Sequence, residues 1–407
     1  MSQPLSGLPT AGRLGSLVVV GTGLLGTSIA LAAVAAGVEV VLDDSDAAAL
    51  DGAQHITGSR RWQDGMPVAD HAVICVPPSA VARAVLRAQR LQMAHTFSDV
   101  ASVKSRPLLE AETLGVDMTR FIGGHPMAGR ENAGPWNARV DLFRGRPWPL
   151  VPTDATGQQA FAAAVALAEL CGAQPELWAA ADHDAAVAAV SHLPQLVSSA
   201  LAASLADVDG DFFELAGSGL RDTSRLAGSP PGMWSDICEQ NASAVAPRLR
   251  LVIDRLVAVE RALAAAGAAS PGQSDDGVDG RQSGRAAGEG AGPAGDPAGG
   301  AVARLIGDGN QVHRRLPQKR WSRLATGVAY GYVSVFVPDQ PGGFADILRA
   351  LADAAVNVED ITVDHVPERP LGLVELTVVA TELDRATAVL RDAGFSATGR
   401  LDDETTG

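Results

Sequence analysis

The chain has 407 residues, of which 46% are hydrophobic. This length exceeds one ordinary hydrophobic core, so two or three domains are expected. The formal net charge of −15, from 32 Lys and Arg against 47 Asp and Glu, opposes phosphate backbones and argues against nucleic acid as a partner.

The N-terminal segment lacks the features of an export signal, because no charged flank precedes an apolar core there. No later run is expected to reach the length of a membrane span, so a cytoplasmic protein without a membrane partner is predicted. The three cysteines, Cys75, Cys171 and Cys238, are widely separated and include no CxxC pair. This spacing predicts neither a disulfide framework nor a metal site.

A dinucleotide-binding fingerprint follows the first predicted strand, Leu17 to Val20. The sequence GTGLLG stands between this apolar run and an alanine-rich segment of helical character. Its glycines allow a tight turn and the close approach of a pyrophosphate, and the free N–H groups of the helix start face the anion. Five residues are therefore predicted to bind a dinucleotide: Gly21, Gly23, Leu24, Leu25 and Gly26.

The second predicted strand, Val38 to Leu42, ends in Asp43, 22 positions after Gly21. A carboxylate at this distance can accept hydrogen bonds from both ribose hydroxyls, and Asp44 and Asp46 would repel the 2′-phosphate of NADP. The pattern therefore predicts NAD as the cofactor. The alternative is that Asp43 only caps the following helix.

Three further strands are predicted: Ala72 to Val76, Thr96 to Val100, and a run that leads into His125. Helical segments between them favour a doubly wound parallel sheet of the Rossmann type over residues 15–178, so the fold class is α/β. The carboxyl ends of parallel strands share one edge, where a nicotinamide would bind. Four residues are predicted there: Val76, Pro77, Ser102 and His125.

His125 lies in the segment GGHPMAGRE, which is too rich in Gly and Pro to form a helix or strand. A neutral imidazole at the exit of a strand can take a proton from a substrate hydroxyl near pH 7. The alternatives are that His125 only satisfies loop carbonyls and that Ser102 only caps a helix.

Residues 179–266 are predicted to form an all-helical second domain. Two long Ala- and Leu-rich segments, Asp182 to Leu205 and Trp234 to Ala265, have only loop between them. Pro194 and Pro247 are expected to kink or interrupt these helices. The apolar helix faces could pair two subunits, so a homodimer is expected.

Residues 267–330 are predicted to be a flexible tether followed by a basic connector. Gly, Ala, Ser, Pro and Asp dominate as far as residue 300 and cannot offset the entropy of ordering. The basic segment Arg304 to Arg323 is either a solvated connector or docks on an acidic face. The final domain, residues 331–401, has the predicted element order βαββαβ.

Five motifs, in this order, resemble those of the prephenate/arogenate dehydrogenase family of tyrosine biosynthesis. They are GTGLLG at 21–26, SDVASVK at 98–104, GGHPMAGRE at 123–131, SHLP at 191–194 and RDTSRLA at 221–227. Members of this family oxidise prephenate with NAD and release carbon dioxide to give 4-hydroxyphenylpyruvate. The resemblance implies a prephenate dehydrogenase or, as the alternative, an arogenate dehydrogenase, which gives tyrosine directly.

The same resemblance implies a role for individual residues. His125 would be the catalytic histidine that hydrogen-bonds the ring hydroxyl of the substrate, and Ser102 would hold both groups. Arg225 would bind a substrate carboxylate, and His192 would contact the substrate side chain. The remaining matches are two acidic residues that gate the pocket and one residue offered by the partner subunit: Glu131, Asp222 and Trp234.

The final domain resembles an ACT domain, a module that often binds amino acids. Asp339, Pro341 and Gly342 lie in the loop where such modules hold their ligand, so the resemblance implies L-tyrosine as an effector. Residues 317–320 only partly follow the pattern of relatives with this domain, and no role in inhibition is inferred for them.

Two other interpretations use the same domains. A β-hydroxyacid dehydrogenase commonly relies on a lysine in the helical domain, but the segment Ala179 to Ala265 contains none. A non-catalytic sensor of NAD and an amino acid would need neither His125 nor Ser102 beside the nicotinamide. An assay of NADH formation from prephenate separates the sensor from the enzyme.

Overall fold

The computed structural model of the chain describes residues 12–128, 134–269, 297–316, 329–338, 340–365 and 371–401. The chain forms two compact units, Met1–Asn310 and Gln311–Gly407. Each unit has its own core of buried apolar side chains. The domain limits proposed from the sequence stay predictions.

An eight-stranded sheet forms the centre of the first unit. Its strands are β1 (Ser16–Val20), β2 (Glu39–Asp43), β3 (Arg60–Arg61), β4 (Ala69–Ile74), β5 (Ala94–Asp99), β6 (Phe121–Gly124), β7 (Pro147–Val151) and β8 (Gln174–Leu177). They lie in the order β3-β2-β1-β4-β5-β6-β7-β8. All neighbouring strands are parallel except β6 and β7, which are antiparallel. The predicted doubly wound sheet is confirmed, whereas β3 and the antiparallel direction of β7 against β6 were not predicted.

Both faces of this sheet are covered by helices. They are α1 (Leu24–Ala35), α2 (Ala47–Thr57), α3 (Val81–Arg90), α4 (Ser105–Thr113) and α5 (Gln158–Leu170). Alternate residues of β1 enter opposite cores, because successive side chains of a strand point to opposite faces. Leu17 and Val19 belong to one core, and Val18 and Val20 to the other. The strand order reverses between β1 and β4, which places a ligand crevice at their carboxyl ends.

The second part of this unit is helical. Its helices are α6 (Ala180–Val187), α7 (Leu193–Ala203), α8 (Ser218–Ser224), α9 (Pro231–Gln240) and α10 (Ala242–Ala269). The expectation of loop alone between two long helices is wrong, because α8 and two 3₁₀ turns, Gly210–Leu215 and Arg225–Gly228, lie there. These pieces are shorter than the window over which helical periodicity can be recognised.

The two prolines of the helical region behave differently. Pro194 lies in the first turn of α7, directly after a π-helical turn, Ala188–His192, so the predicted interruption is confirmed there. Pro247 lies inside α10 and does not end it, and the break falls at Asn241 instead. A proline near the start of a helix removes one backbone hydrogen bond, which the remaining turns of this 28-residue helix tolerate.

One run among the described residues, Ala180–Ala203, is long and apolar enough to cross a membrane by length and composition. The prediction that no run reaches this length is therefore wrong. Only 28% of its apolar window is buried within the single chain. The run also carries buried polar side chains, among them His183, Asp184 and His192.

Part of the predicted tether is helical. Helix α10 continues to Ala269, and α11 spans Pro297–His313. The expectation of an unstructured segment is therefore wrong at both of these ends. Residues 270–296 and 317–328, which include part of the basic connector, lie outside the described residues.

The second unit confirms the predicted order βαββαβ. Its elements are β9 (Tyr330–Pro338), α12 (Gly343–Asp353), β10 (Asp360–His365), β11 (Leu371–Val379), α13 (Leu383–Asp392) and β12 (Ser396–Leu401). The strands form an antiparallel sheet in the order β10-β11-β9-β12. Pro341 and Gly342 lie between β9 and α12, and Asp339 lies outside the described residues.

Candidate active site

The glycine-rich loop connects β1 to α1 at the carboxyl edge of the sheet. Gly21 has φ +95°, and a Cβ atom there would lie 2.3 Å from the carbonyl oxygen of Cys75. A Cβ atom at Gly26 would lie 1.9 Å from the carbonyl oxygen of Gly21, so both positions require glycine. Gly23 faces open space, and no side chain caps the first turn of α1. The residues present therefore fit a pyrophosphate at this helix start.

The other predicted cofactor residues lie around this loop. A cavity of about 370 Å³ is lined by Gly21, Asp43 and Val76, among others, and its size suits part of a dinucleotide. Leu24 and Leu25 open α1 and pack partly against the core. Pro77 follows β4 and precedes the 3₁₀ turn Pro78–Ala80. Their contacts with a cofactor stay predictions.

The acidic residues after β2 have separate partners. Asp43 pairs with Arg87 of α3, with Oδ2 2.5 Å from Nη1. The Asp44 carboxylate accepts hydrogen bonds from the backbone N–H and the hydroxyl of Thr22, at 2.5 and 2.8 Å. Asp46, and not Asp43, is the N-cap of α2. Asp44 and Asp46, expected to repel a 2′-phosphate, thus hold the loop and the helix. The contact of Asp43 with a ribose stays a prediction.

His125 directly follows β6 and heads a chain of three buried or half-buried side chains. Its Nδ1 lies 2.9 Å from Nε2 of His183, and Nδ1 of His183 lies 2.9 Å from Oδ1 of Asp184. A carboxylate accepts only, so the network assigns the proton on His183 to Nδ1. Nε2 of His183 then accepts from Nδ1–H of His125. This leaves Nε2 of His125 unprotonated, as a base requires.

Asp184 is anchored at the start of α4. Oδ1 accepts from the backbone N–H of Lys104 and Oδ2 from that of Ser105, both at 2.8 Å. Burial alone would raise the pKa of the Asp184 carboxyl, but hydrogen bonds from His183 and from the α4 backbone hold it below its usual value. The carboxylate therefore stays ionised and keeps the proton of His183 in place.

The environment of His125 disfavours its cationic form. Burial lowers the pKa of His125 well below its usual value, and the nearby His183 and Lys104 lower it further. The imidazole is therefore neutral at physiological pH. The hypothesis that His125 only satisfies loop carbonyls does not fit the structure, because its Nδ1 bonds to His183 and not to a carbonyl.

A buried ion pair connects the strand that carries His125 to its neighbour. Nζ of Lys104 bonds to Oδ1 of Asp99, at the end of β5, and lies 2.6 Å from the carbonyl oxygen of Gly124, at the end of β6. Burial lowers the pKa of Lys104 and raises that of Asp99, while their mutual attraction opposes both shifts. The pair fixes the relative position of the two strand ends that carry Ser102 and His125.

Ser102 lies in the turn between β5 and α4, three residues after the strand. The alternative that it caps α4 is wrong, because the α4 N-terminus at Lys104 has no cap from its own loop and bonds to Asp184 instead. Within the described residues, the Ser102 hydroxyl makes no hydrogen bond. It remains able to bond to a ligand at the edge it shares with His125.

His192 forms a second buried polar position, in the π turn before α7. Its Nδ1 lies 3.2 Å from the amide nitrogen of Asn241, which also donates to the carbonyl oxygen of Asp184 at 2.9 Å. The proton of His192 therefore resides on Nε2. Burial lowers the pKa of His192 to about 4, so the ring is a neutral donor. The Trp234 ring lies edge-on to it in the same chain, with centroids 6.0 Å apart.

The predicted arginine lies on a turn that α7 supports. Arg225 opens the 3₁₀ turn after α8 and is exposed, as is Asp222. Buried Gln195 of α7 holds this turn, with its Nε2 2.7 Å from the carbonyl oxygen of Leu226. His192 directly precedes α7, and α7 contacts the turn that carries Arg225, so the two predicted residues lie on neighbouring elements. Glu131 lies outside the described residues, and the role of Trp234 across a dimer stays a prediction.

Sequence reasoning missed His183 and Asp184. Both are polar residues within an alanine-rich run, and this contrast was the signal that could have identified them, whereas their burial is visible only in the structure. Their partner His125 is 58 positions away in the chain, so no local pattern could connect them.

Three family models match the chain. Residues 29–177 match the nucleotide-binding domain of prephenate dehydrogenase, residues 179–270 its dimerization domain, and residues 331–391 the ACT domain. The predicted Rossmann, helical and ACT-like domains are thereby confirmed, as is a domain for a nucleotide cofactor.

The chain is 31% identical over 375 residues to the probable prephenate dehydrogenase NovF of Streptomyces niveus, across 92% of this chain and 97% of the relative. Among solved structures, Synechocystis arogenate dehydrogenase is 26% identical, with a TM-score of 0.53 over 73% of this chain and 99% of that one. Prephenate dehydrogenase from A. aeolicus, in complex with hydroxyphenyl propionate and NAD+, shares the fold with 24% identity and a TM-score of 0.56, over 63% and 93% of the two chains. The chain belongs to the prephenate dehydrogenase family.

Proposed function

We propose that this chain oxidises prephenate, with NAD as the hydride acceptor, and releases carbon dioxide to form 4-hydroxyphenylpyruvate. The observation that carries the proposal is the chain of side chains His125, His183 and Asp184, which leaves an unprotonated nitrogen at the carboxyl edge of a nucleotide-binding sheet. NAD supplies the site that takes a hydride from the ring carbon of the substrate.

The proton of the ring hydroxyl passes to Nε2 of His125. As this imidazole becomes cationic, its Nδ1–H bonds more strongly to His183, whose own Nδ1–H is held by the Asp184 carboxylate. The two rings keep the orientation and tautomer that a general base requires. Loss of carbon dioxide makes the ring aromatic, so the step is in practice irreversible. The protein thus mainly positions groups and moves one proton.

The substrate contacts follow from the charge of prephenate, a dianion. The guanidinium of Arg225 would hold one carboxylate through two parallel hydrogen bonds, and Ser102 would bond to the ring hydroxyl. The Nε2–H of His192 is a neutral donor that suits the keto oxygen of a pyruvyl side chain. An ammonium group, as in arogenate, would face this donor without an acceptor. This tautomer of His192 supports prephenate as the preferred substrate.

Arogenate is the second candidate substrate, because the Synechocystis relative is an arogenate dehydrogenase. Steady-state kinetics of NADH formation with prephenate and with arogenate, side by side on the purified chain, test the proposal. A higher kcat/KM with prephenate is expected. A chain that binds NAD but forms no NADH from either substrate would instead be a sensor.

The same chain offers features for assembly and regulation. Exposed apolar side chains on α7 and α10, such as Val197, Leu201 and Leu256, suit a second copy, so we infer a homodimer through the dimerization domain. The ACT domain would bind L-tyrosine near Pro341 and Gly342 and lower activity. Mass measurement in solution tests the first inference. Activity and thermal stability in millimolar tyrosine test the second.

A further inference from the structure

We propose that Arg87 of α3 determines cofactor choice together with Asp43, and that the pocket becomes selective for a 2′-phosphate when the Asp43 carboxylate is removed. The inference rests on the proposed use of NAD. It concerns the part of the cavity that lies at the end of β2, away from the catalytic histidine.

The guanidinium of Arg87 engages both oxygens of Asp43. Nη1 lies 2.5 Å from Oδ2, and Nη2 lies 3.4 Å from Oδ1. The Asp43 side chain is 16% exposed and that of Arg87 is 50% exposed, so the arginine covers the carboxylate from the solvent side. Ribose hydroxyls must bond to the same carboxylate, whose oxygens have lone pairs left for them. The carboxylate is therefore shared between cofactor and arginine.

The second carboxylate of the pocket, that of Asp44, does not pair with an arginine of the cavity. Asp44 lines the cavity, but its oxygens accept from Thr22 and from the backbone of Asp46. Arg83 lies one helical turn before Arg87 and also lines the cavity, with its guanidinium 3.1 Å from the carbonyl oxygen of Ser79. Asp43 is thus the carboxylate that occupies the guanidinium of Arg87, in a pocket lined by two arginines.

Two opposite outcomes follow from the charge at position 43. With the carboxylate present, a 2′-phosphate would lie against an anion and is rejected. With an uncharged side chain, the guanidinium of Arg87 loses its partner and can bind the phosphate with two charge-assisted hydrogen bonds. The wild-type chain therefore contains the cation of an NADP site, neutralised by one carboxylate.

The test is calorimetric titration of the full chain with two adenosine fragments. ADP represents the shared part of both cofactors, and 2′,5′-ADP carries the phosphate that distinguishes NADP. For Asp43→Asn we expect the affinity for 2′,5′-ADP to rise on the order of 10- to 100-fold, the range of charge-assisted hydrogen bonds. In Asp43→Asn/Arg87→Met this gain should be lost. In Asp43→Asn/Arg90→Met, a control on the exposed face of α3 outside the cavity, it should persist.

A gain that survives Arg87→Met, or no gain in Asp43→Asn, overturns the proposal. If Asp43→Asn does not fold, Asp43→Ser with and without Arg87→Met decides, because the arginine should again supply roughly ten-fold of the affinity for 2′,5′-ADP. Equal 2′,5′-ADP binding would then contradict the role of Arg87. The fragments lack nicotinamide, so this binding result is independent of whether prephenate is oxidised.

Discussion

Two ion pairs lie at the carboxyl edge of the same sheet and have opposite surroundings. The side chains of Lys104 and Asp99 are 0% and 1% exposed, whereas those of Arg87 and Asp43 are 50% and 16% exposed. The first pair lies between the strand ends that lead into Ser102 and His125. The second lines the cavity of about 370 Å³ beside the glycine-rich loop.

The difference shows how burial divides polar groups between structure and ligand binding. A buried charge that loses its partner is left uncompensated. Lys104 and Asp99, the inner pair, therefore cannot give up their mutual contact for a ligand without a large loss of stability. An exposed pair contributes little to folding and can share its atoms with a ligand. Substitutions at and around the Lys104–Asp99 pair should therefore change turnover and stability. Substitutions at the Arg87–Asp43 pair should mainly change cofactor binding.

The largest expected effect is on turnover, at His125. His125→Asn removes the base and should lower kcat by roughly 10²–10⁴-fold, the usual contribution of a general base. NAD affinity should stay near normal, because the glycine loop and Asp43 are untouched. The matched control is His95→Asn, at an exposed position of β5. Unchanged turnover in the purified His125 variant would remove the assignment of the base.

The next effect is on stability, at the inner ion pair. Lys104→Met leaves Asp99 buried without its cation and should lower the free energy of unfolding by about 3–5 kcal/mol. The double variant Lys104→Met/Asp99→Leu removes both charges and should recover part of this loss. Chemical denaturation of the first unit, followed by tryptophan fluorescence, measures both. Equal stabilities of the two variants would show that the charge itself is not the cause.

The Asp184 carboxylate should act on turnover through the tautomer of His183. Asp184→Asn lets His183 carry its proton on Nε2, so this nitrogen can no longer accept a hydrogen bond from His125. We expect kcat to fall roughly 10–100-fold, the loss typical of residues that orient a functional histidine. Affinity for NAD should not change. Asp182→Asn, on the same helix and exposed, is the control. A KM effect without a kcat effect would contradict this positioning role.

The pH dependence follows from the pKa of His125. Protonation of Nε2 removes the base, so kcat/KM should fall as the pH drops through this pKa. Burial lowers this pKa, so the acid limb should lie well below the value of about 6.5 for an unperturbed histidine. The sequence alone predicts an acid limb near neutrality. If kcat/KM of the wild-type chain instead fell near neutral pH, the lowered pKa of His125 would be contradicted.

The smallest effect is expected for the outer ion pair, Arg87 and Asp43. Arg87→Met should change the free energy of unfolding by only about 0–1 kcal/mol, because half of the arginine side chain is exposed and solvent screens the pair. Thermal unfolding of this variant beside Lys104→Met gives a direct comparison of the two pairs. A similar loss of stability in the two variants would mean that burial does not distinguish the roles of the two ion pairs.

The elements of the fold could be predicted from local pattern. Apolar runs, the glycine fingerprint and the βαββαβ order depend on neighbouring residues, and the structure has them within a few positions. Short pieces such as β3 and α8 escaped prediction, because they contain too few residues for a period to be recognised. The break at Asn241 escaped it because a proline is a stronger local signal than the true helix end.

The sequence by itself determined the family and the cofactor loop and predicted the base, since each of these depends on contiguous residues. Only the tertiary structure decided which partners these residues have. His125 meets His183, Asp99 meets Lys104 and Asp43 meets Arg87. Such pairings depend on how strands and helices pack, and burial then sets the charge that each partner carries. That is why the chemistry of His125 could be named from the sequence, while its protonation required the fold.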